Sequence, residues 1–239
     1  MPASNSIFRA VYFLAALFAA SPVLATGTAL GVKTDASVEV GSVTTTLVVG
    51  YDLNIGDRVI TDDTGLVQIL FEDQTELVVG PNSELVLEDY LLRADGSAGK
   101  FAINALSGTF RFATGLAPKD SYEITTPTGT IGVRGTAFDF FVAQLGTDVL
   151  VYHGGVDICS LANKCVRLSN RCEVGHYDNS ESMVLGTGVN AELDRDDFRK
   201  AFLYAFSQQP LMRQFRVPNA NNCTKKVVAE VKQQKEVEA

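Results

Sequence analysis

The chain has no tryptophan and only two histidines, His153 and His176, among 239 residues. Without tryptophan a carbohydrate cleft is less well supplied, although Tyr and Phe also stack on sugars. Two histidines leave little material for a histidine-driven nucleophile. Both read as turn or surface residues, His153 beside Gly154-Gly155 and His176 beside Gly175. No G-x-x-x-x-G-K loop occurs, and no G-x-G-x-x-G follows a strand-like run. The G-x-S-x-G elbow and H-E-x-x-H are missing too. Positive charge is scarce: 20 Lys and Arg against 28 Asp and Glu give a net charge of −8. DNA, RNA and anionic membranes reward Lys and Arg, so all are poor partners.

Long apolar runs are lacking as well. Ala10–Ala20 supplies eleven residues, and a membrane span needs about 20. Arg9 precedes that run, Ser21-Pro22 breaks it, and Val23-Leu24-Ala25 follows with small or permissive side chains. Residues 1–25 therefore read as a secretory signal peptide cut after Ala25. Cleavage removes 25 of 239 residues to leave 214, and losing Arg9 takes the charge from −8 to −9. The remainder is one large domain or one domain with an appendage, expected in the periplasm with no stable membrane insertion.

The four cysteines, Cys159, Cys165, Cys172 and Cys223, all lie beyond the signal segment. An even count in an exported chain points to disulfides, and four allow three connectivities. The five residues between Cys159 and Cys165 could form a hairpin tip, leaving Cys172 to tie Cys223 back to the body. Zinc favours closer cysteine pairs joined by histidine, a pattern this chain lacks.

From Gly31 to Val156, short runs rich in Val, Ile, Leu, Phe and Thr are bounded by Gly, Asp, Asn and Pro. Ile69, Leu77 and Leu85 recur every eight residues, as do Phe71, Val79 and Leu87. Within a run the apolar residues alternate, as in Val67, Ile69 and Phe71, which puts them on one face. That fits short strands stacked in a coil or a meander of hairpins. Val149–Val156 and Cys165–Leu168 read as closing strands. Glu192–Ser207 reads as one amphipathic helix docked on the β domain, with Leu193, Phe198, Phe202, Ala205 and Phe206 on one face and Asp194 as its cap. A membrane-surface or partner-binding helix is the sharper alternative. Thr224–Ala239 is a frayed helix or a disordered tail. The expected fold is all-β, a solenoid-like stack of short strands, with the β domain over 31–190 and a helical appendage over 191–239.

Asp57, Asp62, Asp63, Glu72 and Asp73 could supply a glycosidase-like pair or a calcium site. They fall in recurring turn positions, however, where Asp caps backbone N–H groups. No catalytic residue, cofactor or metal site is assigned. Arg134 lies between glycines in Ile131-Gly132-Val133-Arg134-Gly135-Thr136. It reads as a structural ion pair, with Asp57 as candidate partner, or as an exposed Arg at a partner interface.

Leu53-x-x-Gly56-Asp57-x-Val59-x-Thr61 resembles the opening of the FecR domain. Gly65–Asp73 followed by Leu77-Val-Val-Gly80-Pro81-Asn82-Ser83 is similar to its next two strands. Gly108-Thr-Phe110-Arg111-Phe112 and the run Ile124–Phe138, through Pro127, Arg134, Gly135 and Thr136, complete the likeness. It covers residues 38–142 and implies a β-solenoid-like periplasmic domain. In the family's best-known members this domain receives a signal from a TonB-dependent transducer, on a chain with a cytoplasmic anti-sigma segment and one membrane span. This sequence is expected to be a free-standing exported member. Glu72-Asp73-Gln74-Thr75 replaces the family's usual Asp-Gly-Ser-like turn. The expected role is a non-catalytic interaction module that binds an envelope protein, such as a transducer or membrane regulator. The alternative is a cell-envelope glycan binder or structural scaffold.

Overall fold

The computed structural model describes residues 26–225 except 34, 93–97, 117, 119 and 120. The signal-peptide segment 1–25 and residues 226–239 of the tail lie outside the described residues. The strands are β1 (Gly27–Lys33), β2 (Ala36–Val40), β3 (Val43–Thr46), β4 (Asp52–Leu53), β5 (Arg58–Thr61), β6 (Leu66–Phe71), β7 (Glu76–Val79) and β8 (Glu84–Leu92). They continue as β9 (Ala98–Ala113), β10 (Tyr122–Thr126), β11 (Gly129–Val142), β12 (Thr147–Ser160), β13 (Cys165–Leu168), β14 (Glu173–Tyr177) and β15 (Ser182–Thr187). All belong to one continuous sheet.

Three long strands fold that sheet into two layers. The first half of β9 pairs with β8 and β10, and its second half with β7 and β11. β11 and β12 divide in the same way. One layer therefore runs β4-β1-β6-β7-β9-β11-β12-β14-β15. The other runs β3-β2-β5-β8-β9-β10-β11-β12-β13. The strands bend where the register shifts, between Arg134 and Ala137 in β11. Glycines permit the corners. Gly108 in β9 has φ +104°, and a Cβ there would lie 2.4 Å from the Ser83 Cα. Gly154 in β12 has φ +79°, and its Cβ would meet the Gly135 carbonyl at 2.2 Å. Only glycine takes both the dihedral and the close approach.

Alternation fills the space between the layers. Phe110 and Phe112 of β9 and Phe138 and Phe140 of β11 point inward and are fully buried. Phe71 of one layer meets Phe101 of the other edge-to-face at 4.7 Å. Burying each such ring is worth about 1.5–3 kcal/mol. Ile69 faces Leu77 and Val67 faces Val79 across an antiparallel pair. Val59 faces Leu85 in the same sense. The eight-residue spacing thus coincides with a hairpin at β6–β7 alone, since β8 pairs with β5 and β9 rather than with β7.

The outer face of the first layer is covered by the chain after β15. The single helix expected over Glu192–Ser207 is two short ones, α1 (Arg195–Ala201) and α2 (Leu203–Phe206). The Asp194 side chain caps α1, accepting from the Asp196 amide at 2.8 Å. Phe202, at φ −118° and ψ 58°, separates them. The break serves two apolar patches. Phe198 and Phe202 pack with Leu150, Tyr152 and Val174, whereas Tyr204 joins Leu66, Val78, Leu211 and Phe215. The Cys172–Cys223 disulfide closes this strap onto the start of β14, and Cys159–Cys165 bridges directly opposed residues of β12 and β13. Both pairs are those the spacing suggested.

His153 and His176 lie within strands rather than turns, in β12 and β14. Strand pairing sets His176 opposite Asp148, with Nδ1–Oδ1 at 2.7 Å. Asp148 holds the imidazolium pKa above its ordinary value, against the opposing pull of burial. Asp178 and Glu181 add to the upward shift. A raised folded-state pKa stabilises the fold below the unfolded value of about 6.5, and the effect fades as pH rises through the folded value. A His176→Gln variant is therefore expected to lose urea resistance relative to wild type at pH 5.5. The two should converge at pH 9. A constant gap across that range would refute the linkage.

Candidate functional site

Among the described residues nothing covers the outer face of the second layer, and the Ile124–Arg134 part of the motif run lies in this layer. Ala102, Glu123, Gly132, Asp157 and Arg167 form one row across β9, β10, β11, β12 and β13. Residues directly opposite in a sheet share a face. Glu123 and Arg167 are exposed, Gly132 and Asp157 half-buried. Arg134, next but one along β11, reaches diagonally to the same carboxylate. Its Nε donates to Asp157 Oδ2 at 2.9 Å. Arg167 donates from Nε to Oδ1 at 2.7 Å and from Nη2 to Oδ2 at 2.8 Å. The Arg167 and Arg134 hydrogen bonds carry the Asp157 pKa below the ordinary carboxylate value, against partial burial.

A shallow cleft of about 250 Å³ opens beside this group, lined by Lys100, Tyr122, Glu123, Gly132, Arg134 and Asp157. Gly132 forms its floor: a Cβ there would find nothing nearer than the Asp157 carbonyl at 3.8 Å. Lys100 is held by Asp89 at 2.8 Å on the cleft's rim. Such a surface can recognise a charged partner group. Among the described residues no cluster of His, Cys, Asp and Glu could hold a metal ion.

Asp57 is not the partner of Arg134. Its carboxylate accepts the Asn54 amide at 2.9 Å and is nearly buried, closing the turn before β5. Gly56 donates its amide to the Leu87 carbonyl in that turn. Gly80, Pro81 and Ser83 form the β7–β8 turn. Gly80 donates to the Thr109 carbonyl at 2.8 Å, and the Ser83 hydroxyl accepts the Thr109 amide at 2.9 Å. This turn is therefore locked to the β9 corner. Pro127 sits exposed in the β10–β11 turn. Gly135 and Thr136 lie at the β11 bend, where the buried Thr136 hydroxyl donates to the His153 carbonyl. Of these residues Arg134 is the one that lines the open cleft, beside Gly132 and Val133 of the same run.

Two polar groups are buried, which the sequence pattern does not announce, although Asp73 does cap a backbone N–H as its turn position implies. Asp73 is fully buried, accepting from the Thr75 amide at 3.1 Å, the Thr75 hydroxyl at 2.8 Å and the Tyr122 hydroxyl at 2.7 Å. Arg111 and Asp139 pair beneath the strap with Nε–Oδ1 at 2.6 Å. The signal for this pair was present in the sequence: Phe110-Arg111-Phe112 and Phe138-Asp139-Phe140 each place one charge between inward-facing rings.

The family model described as FecR protein matches residues 57–157. Residues 57–157 thus match the FecR domain. Both Arg134 and Asp157 lie inside the matched region, and Arg167 lies beyond it. Two crystal structures of a candidate anti-sigma factor from Parabacteroides distasonis ATCC 8503 are similar over 64% of this chain, at 14% identity and TM-scores of 0.47 and 0.46. The chain spans 65% and 64% of those two chains. No curated protein matches this sequence.

Proposed function

We propose that this FecR-domain protein is a periplasmic, non-catalytic interaction module in cell-envelope signalling. The family match supports a signalling-related regulator. Two disulfides suit an oxidising compartment, and no helix among the described residues is long and apolar enough to cross a membrane. In this reading residues 1–25 are removed on export, 31–190 form the recognition domain as a solenoid-like stack of strands, and 191–239 form its appendage. The observation that carries it is the contrast between faces. The strap seals one outer face, and the motif face with Arg134 is left open. A partner such as a transducer signalling domain or a membrane regulator would dock there.

The test is a crosslinking pull-down of the tagged mature protein from its native periplasm, with Arg134→Glu alongside. An envelope protein captured by wild type and depleted several-fold by the variant is the expected result. A catch without any envelope protein would sink the reading and favour a glycan-binding or scaffold role.

A further inference from the structure

We propose that the Arg134–Asp157–Arg167 group is a receptor for a carboxylate side chain on an acidic segment of the protein partner. The inference rests on the interaction-module reading and names the chemistry of its site. Two guanidinium groups share one carboxylate, so the group carries an excess positive charge on a chain whose net charge is −8. Arg134 uses only Nε on Asp157, and among the described residues its two terminal nitrogens make no other hydrogen bond. Both arginine side chains are more than half exposed, at 53% and 55%. Asp157 thus orients both guanidinium groups, taking Nε and Nη2 of Arg167 but only Nε of Arg134, so the Nη1–Nη2 edge of Arg134 stays free to meet a second carboxylate in two-point geometry.

Access is built in by small residues. Gly132 opens the floor beside Asp157, and Gly155, opposite Arg134, leaves its flank low. A side chain at either position would stand between the guanidinium groups and an incoming ligand. The chain's overall negative charge opposes an acidic partner only at long range. That repulsion is screened beyond about 8 Å at physiological ionic strength, so the contact is decided by the local group. Glu123, across Gly132 from Asp157, repels a carboxylate placed too far toward β10 and fixes which side it enters from. Arg167 lies outside the matched FecR region, so the second guanidinium comes from a strand beyond it.

The test uses the isotopically labelled mature protein and two blocked peptides, Gly-Glu-Gly-Glu-Gly and its Gln counterpart, followed by amide and arginine Nε–H NMR shifts. The Glu peptide is expected to move Gly132, Gly155 and both arginine Nε–H signals with weak affinity, and the Gln peptide is not. Arg134→Gln and Arg167→Gln, both exposed and so expected to fold, should each weaken binding about tenfold, a loss of about 1.4 kcal/mol. Equal shifts from the Gln peptide, or Glu-peptide binding unchanged in both variants, would overturn the proposal. So would a response to oligogalacturonate alone, which would assign the face to an acidic glycan. If the titration is silent yet the pull-down still yields an envelope protein, this inference fails and the interaction module stands. If the pull-down is empty, the reading beneath it fails as well.

Discussion

Arg111→Ala is expected to destabilise the protein by about 3–5 kcal/mol, the cost of leaving a buried charge without its partner. Arg111 is 2% and Asp139 0% exposed, so solvent cannot take the missing partner's place. The pair is two-pronged, with Nε–Oδ1 at 2.6 Å and Nη2–Oδ2 at 3.0 Å. Tyr152 completes it, donating to Asp139 Oδ2 at 2.6 Å and accepting from Arg111 Nη2 at 3.0 Å. Gln208 of the strap accepts from Arg111 Nη1, and the Tyr152 and Tyr204 rings flank the guanidinium at 5.0 and 5.4 Å. Burial alone would lower the Arg111 pKa, but Asp139 overrides it and the net direction is up. Burial, with Asp139, pushes the Tyr152 phenol well up, so it stays a donor. Replacing both charges, Arg111→Met with Asp139→Leu, should cost less than Arg111→Ala alone, because no orphan charge remains. Urea midpoints of the three proteins decide the matter. A double variant at least as unstable as Arg111→Ala would show that the orphaned charge is not what costs the stability.

The same pair shows where the sequence is legible. Alternation in Phe110-Arg111-Phe112 and Phe138-Asp139-Phe140 tells which side chains face the core. It cannot tell that the opposite face is also covered, because that depends on where residues 191–223 dock. Cys165–Leu168 was readable as a strand because a turn and a cysteine bound it, and β13 has those limits. β14 and β15 were not, since Gly175, Gly186 and exposed Met183 and Val184 blur the apolar alternation. The partner of Arg134 is not legible for a related reason. Asp57 and Arg134 belong to one family motif set, but strand pairing, which sequence does not reveal, brings Asp157 beside Arg134 instead. The helix break at Phe202 is likewise tertiary: two separate apolar patches on the sheet override a helical pattern that runs on unbroken. At the candidate site, the glycines and Arg134 were visible in the sequence, but the second arginine was not.

Replacing Cys172 and Cys223 together by alanine is expected to cost about 4 kcal/mol on the chain-entropy estimate, against about 2 kcal/mol for removing Cys159–Cys165. The difference follows from the loops closed, with sequence separations of 51 and 6. The longer loop contains β14, β15, both helices and the apolar residues that seal the first layer, including Phe198, Phe202, Leu211 and Phe215. Freed of its bridge, the strap is still held by that apolar contact, by the Arg111–Gln208 bond, by the Gln68 side chain, which accepts the Met212 amide at 2.7 Å, and by Arg171, which donates to the Asn219 carbonyl at 3.0 Å. Hydrogen exchange should therefore accelerate first at α1, α2 and residues 211–217, before the β9 and β11 amides. A urea midpoint that falls further for the Cys159–Cys165 variant would refute the loop argument. Uniform exchange across the sheet and strap would refute the idea that the strap is a separable layer. The expected outcome would make the sealing of this face depend in large part on one covalent closure, on the side of the fold opposite the exposed Arg134 and Arg167.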